Sequence, residues 1–285
     1  MSFPYSHIRH LLIDLDGVLY RGNTAIAHAQ SFIAWLRTRG VAFRLVTNNA
    51  TLTPAQYVDK LTGMGIAVQP EEIFTSSLAT ALYLERQTDS ARTAYVIGED
   101  GLRSALDGIG MRVTDDRPAW VIVGLDRELT YEKLATAALA IAAGARFLGT
   151  NPDTSFPSER GLVPGAGAIQ AALTATTGVR PAVVGKPEPL MLQLAMDQLG
   201  GSLTDTAMLG DRLDTDIQGA QTMHMPSILV LTGVSKREEL ANNPIHPTLV
   251  VDDLGDLIGQ WDAETRSEAR DPLPPTAPRP PRGGS

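Results

Sequence analysis

Short apolar runs of strand length, each followed by a longer segment with helical spacing, recur along almost the whole chain. Parallel strands need a long crossover between them, usually a helix, and strands buried on both faces read as unbroken apolar runs. The alternation therefore predicts βα units and an α/β fold on a parallel sheet. His10 to Leu15 (HLLIDL) is the first such strand. Ile26 to Arg39 has helical spacing, with Phe32, Ile33 and Leu36 on one side and Gly40 as its C-cap. Ala42 to Thr47 (AFRLVT) is the second strand. Thr53-Pro54 opens a helix, since Thr caps and Pro suits the first helical position; it runs through Tyr57 and Leu61 to Gly63 or Gly65. Ile73 to Glu85 returns through a short strand into a further helix.

A second unit is expected from about Ala94. Ala94 to Gly98, Trp120 to Gly124 and Ala145 to Gly149 read as its strands, with helices at Gly101 to Ile109, Tyr131 to Ala143 and Ala166 to Thr176. Strands return at Ala182 to Gly185, Thr206 to Leu209, Ser227 to Leu231 and Leu249 to Val251, separated by helices at Leu190 to Leu199 and Asp214 to Thr222. Asp271 to Ser285 (DPLPPTAPRPPRGGS) has almost nothing to bury and is expected to be a solvated tail, although its PRPPR stretch could serve as a polyproline ligand.

Four strand tips carry the chemistry. Asp14-Leu15-Asp16-Gly17 follows HLLI directly. Alternate residues of an extended backbone face the same way, so two carboxylates two apart can converge at the end of the strand. Ligands of open α/β sheets gather at that end. Like charges so close need a proton or a cation between them, and a hard ion such as magnesium would serve; a solvated Asp-Gly turn is the plain alternative. Thr47-Asn48-Asn49 ends the second strand with a hydroxyl and two amides able to bond phosphate oxygens without adding charge. Gly185-Lys186-Pro187 follows AVV and offers one fixed cation. Gly210 to Asp216 (GDRLDTD) places three acids in six positions after TAML. Asp211 leaves its strand first and is the best-placed metal ligand. Asp216 could ligate through water or anchor Lys186, and Asp214 is expected to cap the helix.

Composition removes several classes of function. A net charge of -8 argues against a nucleic-acid partner, which wants a basic surface, while leaving small anionic substrates open. With no cysteine there is no disulfide framework, thiolate nucleophile or zinc–cysteine site, which fits a reducing cytosol. The start of the chain lacks a signal peptide's charged and apolar regions. The Ala135 to Ala145 stretch is far too short for a bilayer of about 30 Å. Together these point to a soluble cytoplasmic protein without a membrane partner. The five histidines show no metal-ligand spacing, no P-loop is present, and Gly165-Ala166-Gly167 lacks the βαβ context of a dinucleotide fingerprint.

DxDG, TNN, GKP and GDxxxTD on four successive strand tips resemble the haloacid dehalogenase superfamily of phosphohydrolases. The similarity is greatest to the class IIA, NagD-like and 4-nitrophenylphosphatase-like members, through DLDGVLYRG, TNN, Thr150-Asn151-Pro152-Asp153 and Val163-Pro164-Gly165, and it covers His10 to about Ile258. The resemblance implies a Rossmann-like, doubly wound parallel-sheet core from residues 1–78 and 181–265. A large α/β cap would be inserted at 79–180; outside the match, composition predicts a disordered Pro-rich tail at 266–285. The resemblance also implies roles. Asp14 would attack phosphorus; Asp16 would protonate the leaving oxygen and later activate water. Thr47, Asn48 and Asn49 would bind the phosphoryl group and Lys186 would neutralise it. Magnesium would sit on Asp14, the Asp16 carbonyl and Asp211, with Asp216 in support. Cap loops would choose the substrate, with Asn151 and Asp153 as candidates. The expected activity is hydrolysis of a small phosphorylated metabolite: a sugar or polyol phosphate such as glycerol phosphate, phosphoglycolate, or a nucleoside monophosphate. A phosphomutase, or a non-catalytic binding or regulatory protein on the same fold, is the alternative. Cap surfaces could pair into a homo-oligomer.

Overall fold

The computed structural model describes residue 3 and residues 5–87, 91–158 and 160–270. Six parallel strands form its larger sheet, in the order Leu249–Val251, Ser227–Val230, Thr206–Gly210, His10–Ile13, Ala42–Thr47 and Ile73–Thr75. Neighbouring side chains of the first strand part to opposite faces, as a pleated strand requires. Leu11 and Ile13 pack with Phe32, Leu36, Tyr57, Leu61, Leu254 and Trp261. Leu12 packs the other way, with Ala79, Met191, Leu194 and Ala220. Helices therefore cover both faces, and the chain is an α/β fold with a doubly wound parallel sheet.

Burial, more than capping, holds these helices in place. No side chain caps the Ala29–Arg39 helix, where His28 stands at φ 67°. Its Phe32, Ile33 and Leu36 are fully or almost fully buried, each contributing about 1.5–3 kcal/mol. The helix stops at Gly40, whose φ of 69° is left-handed and costs glycine no Cβ clash. It starts later than Ile26 because Tyr20–Arg21 and Thr24–Ala25 form a small antiparallel hairpin. The Pro54–Gly63 helix is capped as expected, by Thr53 and Gln56 in a reciprocal box.

A second parallel sheet runs Ala182–Val183, Arg146–Gly149, Trp120–Val123, Thr93–Ile97 and Arg112–Val113. Its Ile97, Val121 and Val123 lie under Ala137, Ile141, Ile169 and Leu173 of two covering helices. On its other side Ala94, Val96, Trp120, Ile122 and Leu148 belong to the apolar cluster that also holds Leu12, Val46 and Phe74 of the larger sheet. The Ser76–Glu85 and Asp100–Gly108 helices fill that cluster between the sheets through Ala79, Leu84, Leu102 and Leu106.

Three boundaries differ from expectation. The Ala182–Gly185 segment gives only a two-residue strand, and it pairs with Arg146–Gly149 of the smaller sheet, not with the core from 181 onward. The apolar triplet marks a strand without saying which sheet takes it. The expected tail from 266 begins inside the Leu254–Arg270 helix, while residues 271–285 lie outside the described residues. The Asp214–Thr222 helix opens with a wide turn at Leu213–Ile217 before Gln218–Thr222 becomes α-helical. Among the described residues, no helix is long and apolar enough to cross a membrane.

Candidate active site

His10–Ile13 and Thr206–Gly210 lie side by side, and the strands that follow each extend the sheet in opposite directions. That reversal opens a crevice at the carboxyl ends of the two strands, where doubly wound sheets bind ligands. Asp14 and Asp211 leave the sheet at this point. The Asp14 backbone N–H still donates to Leu209 O at 2.8 Å, which fixes its place beside the neighbouring strand.

Lys186 reaches the crevice from the segment after the smaller sheet. Its Nζ donates to Asp14 Oδ1 at 2.6 Å, to Asp216 Oδ1 at 2.7 Å and to Val46 O at 3.1 Å. All three ammonium hydrogens are used and the group is buried, so this lysine is a fixed charge. Burial alone would lower its pKa; Asp14 and then Asp216 outweigh that and hold it above the ordinary value. Burial also pushes the Asp14 carboxyl well above the usual range, with Asp216 and Asp211 adding to the rise and Lys186 opposing it.

Asp211 is gripped by backbone. Its Oδ2 accepts from Val234 N at 2.7 Å, and its carbonyl accepts from Ser235 N at 3.1 Å. Gly17, at φ 85°, and Gly233 press on the carboxylate so closely that a Cβ on either would overlap it. Its Oδ1 is buried without a hydrogen-bond partner. Burial first, then Asp216, pushes this carboxyl up to about 7.

Oxygens of Asp14, Asp211 and Asp216 lie within 4.8 Å of one another. Three acids against one lysine, one of them with an orphaned buried oxygen, form an all-oxygen donor set suited to a hard divalent cation. Asp216 has little left to give: its Oδ1 holds Lys186 and its Oδ2 accepts from Arg212 N at 3.1 Å. It anchors the lysine, as expected, and bonds back to the main chain just before the wide turn, whose start no side chain caps. Asp214 instead turns outward and takes a two-pronged ion pair from Arg212, at 3.0 and 2.7 Å. The wide Leu213–Ile217 turn carries this difference, since it sets which acid faces inward.

Asp16 stands at the mouth, exposed. The protein around it raises its carboxyl above the ordinary value, against the pull of Lys60 and Arg21. Lys60 lies over the Tyr20 ring, 4.0 Å from its centroid. Thr47 is buried, and its hydroxyl accepts from Asn49 N at 3.2 Å. Asn49 Oδ1 shapes the turn by accepting from Thr51 N and Oγ1. Asn48 points its Nδ2 at Lys186 O, 2.8 Å away, and at the Asp153 carboxylate. Asn151 Nδ2 donates to Asn48 O at 2.7 Å. Asn151 and Asp153 thus bond the Thr47-Asn48-Asn49 turn itself.

Two family models match this chain: a haloacid dehalogenase-like hydrolase over residues 11–112 and a HAD-hydrolase-like model over residues 183–257. The chain is 43% identical over 247 residues to the 5'-nucleotidase YutF of Bacillus subtilis strain 168, covering 87% of this chain and 96% of that protein. It is 44% identical over 250 residues to the acid sugar phosphatase of Staphylococcus aureus, with the same coverage of 87% and 96%. The solved structure of NagD from E. coli K-12 superposes with a TM-score of 0.84 at 33% identity, covering 90% of this chain and 98% of that one. The chain belongs to the haloacid dehalogenase superfamily. It is one of the superfamily's phosphatases, akin to the class IIA, NagD-like members.

Sequence reasoning missed part of this haloacid dehalogenase site. The Thr232–Ser235 loop follows a strand tip of the same sheet, yet it carries no charge to draw attention. Its backbone and small side chains do the holding. Val234 N fixes Asp211, Ser235 Oγ accepts from Leu213 N at 3.0 Å, and Thr232 Oγ1 donates to Gly17 O at 2.7 Å. Arg21 reaches across to Thr232 O. A Thr-Gly-Val-Ser run after the strand SILV was the available signal.

Proposed function

We propose that this protein is a magnesium-dependent phosphomonoesterase that hydrolyses a small phosphorylated metabolite through an aspartyl-phosphate on Asp14. One observation carries the reading: a buried lysine is clamped between Asp14 and Asp216, beside an Asp211 oxygen that has no partner. A carboxyl held 2.6 Å from a fixed ammonium is oriented, and that ammonium opposes the rise that burial imposes on its pKa. Lys186 and the Thr47 hydroxyl would compensate the charge of the phosphoryl group.

Asp14 and Asp211 would hold the magnesium ion, with Asp216 behind them and the Asp16 carbonyl as a further oxygen. When bound, the ion supplies positive charge to the nucleophile and the phosphoryl oxygens. Asp14 attacks phosphorus, and the bond to the leaving oxygen breaks. Asp16, whose carboxyl partial burial raises above its ordinary value, gives a proton to the leaving oxygen. The Asp16 carboxylate then takes a proton from water, which attacks phosphorus, frees inorganic phosphate and restores Asp14.

The names of the two curated relatives put nucleoside monophosphates and sugar phosphates first among the candidate substrates. The test is phosphate release from a panel of both classes with glycerol phosphate and phosphoglycolate, in magnesium and in EDTA, beside Asp14→Asn. Metal-dependent release that vanishes in the variant is expected. Turnover surviving in Asp14→Asn removes Asp14 as nucleophile, and silence on every ester with magnesium bound points to a mutase or a binding protein.

A further inference from the structure

Asn48 is more heavily bonded than a group that binds substrate has reason to be. An amide NH2 has two hydrogens. One goes to Lys186 O at 2.8 Å, and the other is shared between the two Asp153 oxygens at 3.3 and 3.2 Å. Neither remains for a phosphoryl oxygen. Its main-chain carbonyl is also taken, by Asn151 Nδ2 at 2.7 Å and by Ser76 Oγ. Its Oδ1 is buried without a partner, against Gly185, where an added Cβ would come within 2.7 Å.

The partners of Asn48 are themselves tied together. Val184 N and Gly185 N donate to Gly149 O and Thr150 O at 3.1 and 2.8 Å, so the segment carrying Lys186 rides on the strand that leads into Asn151. Asn151 Oδ1 accepts from Asp153 N at 3.2 Å, and Gln170 Nε2 donates to Asn151 O at 2.9 Å. One turn from the smaller unit therefore meets the tip of the second core strand and the main chain of the catalytic lysine. Burial raises the Asp153 carboxyl above its ordinary value, with the Asn48 bond opposing that rise.

We infer that Asn151 and Asp153 are positioning residues: through Asn48 they hold the phosphate-binding turn and the Lys186 backbone in register, and they do not read the leaving group. This differs from the substrate-choosing role that the sequence suggests for the same two residues. It rests on the reading of Thr47 and Lys186 as the phosphoryl site, and it corrects the expectation that the Asn48 side chain binds the phosphoryl group. Asp153 acts at one remove, on the group that places Lys186 against Asp14. A small displacement of a catalytic group is enough to cost on the order of 100-fold in rate.

The experiment compares Asp153→Ala and Asp153→Asn on three esters with unlike leaving groups: 4-nitrophenyl phosphate, a nucleoside monophosphate and a hexose phosphate. Asp153→Ala is expected to lower kcat by about 10- to 100-fold, by the same factor on all three, with KM within about threefold. Asp153→Asn keeps an acceptor for the Asn48 hydrogen and should recover most of the loss. Combined with Asn48→Ala, the Asp153→Ala change should add nothing further. Losses that differ more than about tenfold between leaving groups would overturn the inference, because Asp153 would then be touching substrate. So would an unchanged kcat, or additive losses in the double variant. Chemical unfolding of wild type, Asn48→Ala, Asp153→Ala and the double variant tests the strut without turnover. Coupling of about threefold or more in the unfolding constant is expected between Asn48 and Asp153, and additive effects would remove the strut even if the wild type proved silent on every ester. Such silence in the wild type would count against the phosphatase reading alone.

Discussion

Lys186 has two acids and a carbonyl as partners and no route to water. Lys186→Met leaves Asp14 and Asp216 facing each other in a buried site. Loss of one member of such a group costs about 3–5 kcal/mol, so the variant should unfold at clearly lower denaturant and show no measurable turnover. Lys186→Arg should not restore activity, because a planar fork cannot direct hydrogens to three acceptors arranged around one nitrogen. Equal stability of wild type and Lys186→Met would show that the three charges are not coupled. Asp211 gives a prediction in pH. Its unfolded carboxyl titrates near 3.8 and its folded one near 7, so the folded state binds this proton more tightly. The stability it contributes is complete below about pH 4 and is lost as pH rises through about 7. A cation must displace that proton, so magnesium affinity should weaken about 30-fold from pH 8 to pH 5.5, with protons released on binding. Calorimetric titration at the two pH values checks this; equal affinity would exclude Asp211 as a titrating ligand. The acids at strand tips were legible because their spacing repeats the geometry of a strand end. The outward turn of Asp214 to Arg212 was not, since it depends on a wide turn at Leu213–Ile217 that no spacing rule announces.

The Thr232–Ser235 loop makes the same point for an element that acts mainly through its backbone. Gly233 packs on Asp211 with no room for a side-chain carbon, and the next N–H holds the carboxylate. Unlike Gly17, Gly233 does not have a positive φ, so a substitution there tests crowding apart from backbone strain. Gly233→Ala should push the Asp211 carboxylate out of place, lowering kcat by on the order of 100-fold. Its unfolding midpoint should change far less than that of Lys186→Met. Steady-state kinetics beside thermal unfolding decides it; full activity in Gly233→Ala would mean the loop gives way and does not position the ligand. The strands themselves were readable because burial on both faces leaves unbroken apolar runs such as HLLI and WVIV. Their sheet membership was not. Ala182–Val183 has the same character as the core strands yet pairs with the smaller sheet. Two-residue strands such as Tyr20–Arg21 leave no periodicity to find.

The sequence presents the second unit as an insertion, which suggests a part that folds and moves by itself, but the packing joins the two sheets. Leu102 of the Asp100–Gly108 helix is fully buried in one cluster with Leu12 and Phe74 of the larger sheet and Val96 and Ile122 of the smaller. The start of that helix also sits on the loop after the Thr47-Asn48-Asn49 turn. Gly101 N donates to Thr51 O at 2.9 Å, and a Cβ there would come within 2.6 Å of Ala50 O. A unit attached only by a hinge would keep its apolar core to itself. Here the apolar cluster runs through both sheets, so the free energy of each depends on the other. Leu102→Ala removes side-chain volume at the centre of the shared cluster and should cost about 2–5 kcal/mol. The loss should appear as one unfolding transition at a lower temperature, followed identically by a tryptophan signal from Trp261 in the larger unit and one from Trp120 in the smaller. Single-tryptophan versions of the protein separate the two signals. If the Trp120 transition moved down while that of Trp261 stayed in place, the sheets would be independent folding units, and the shared cluster would be a contact between them and no common core.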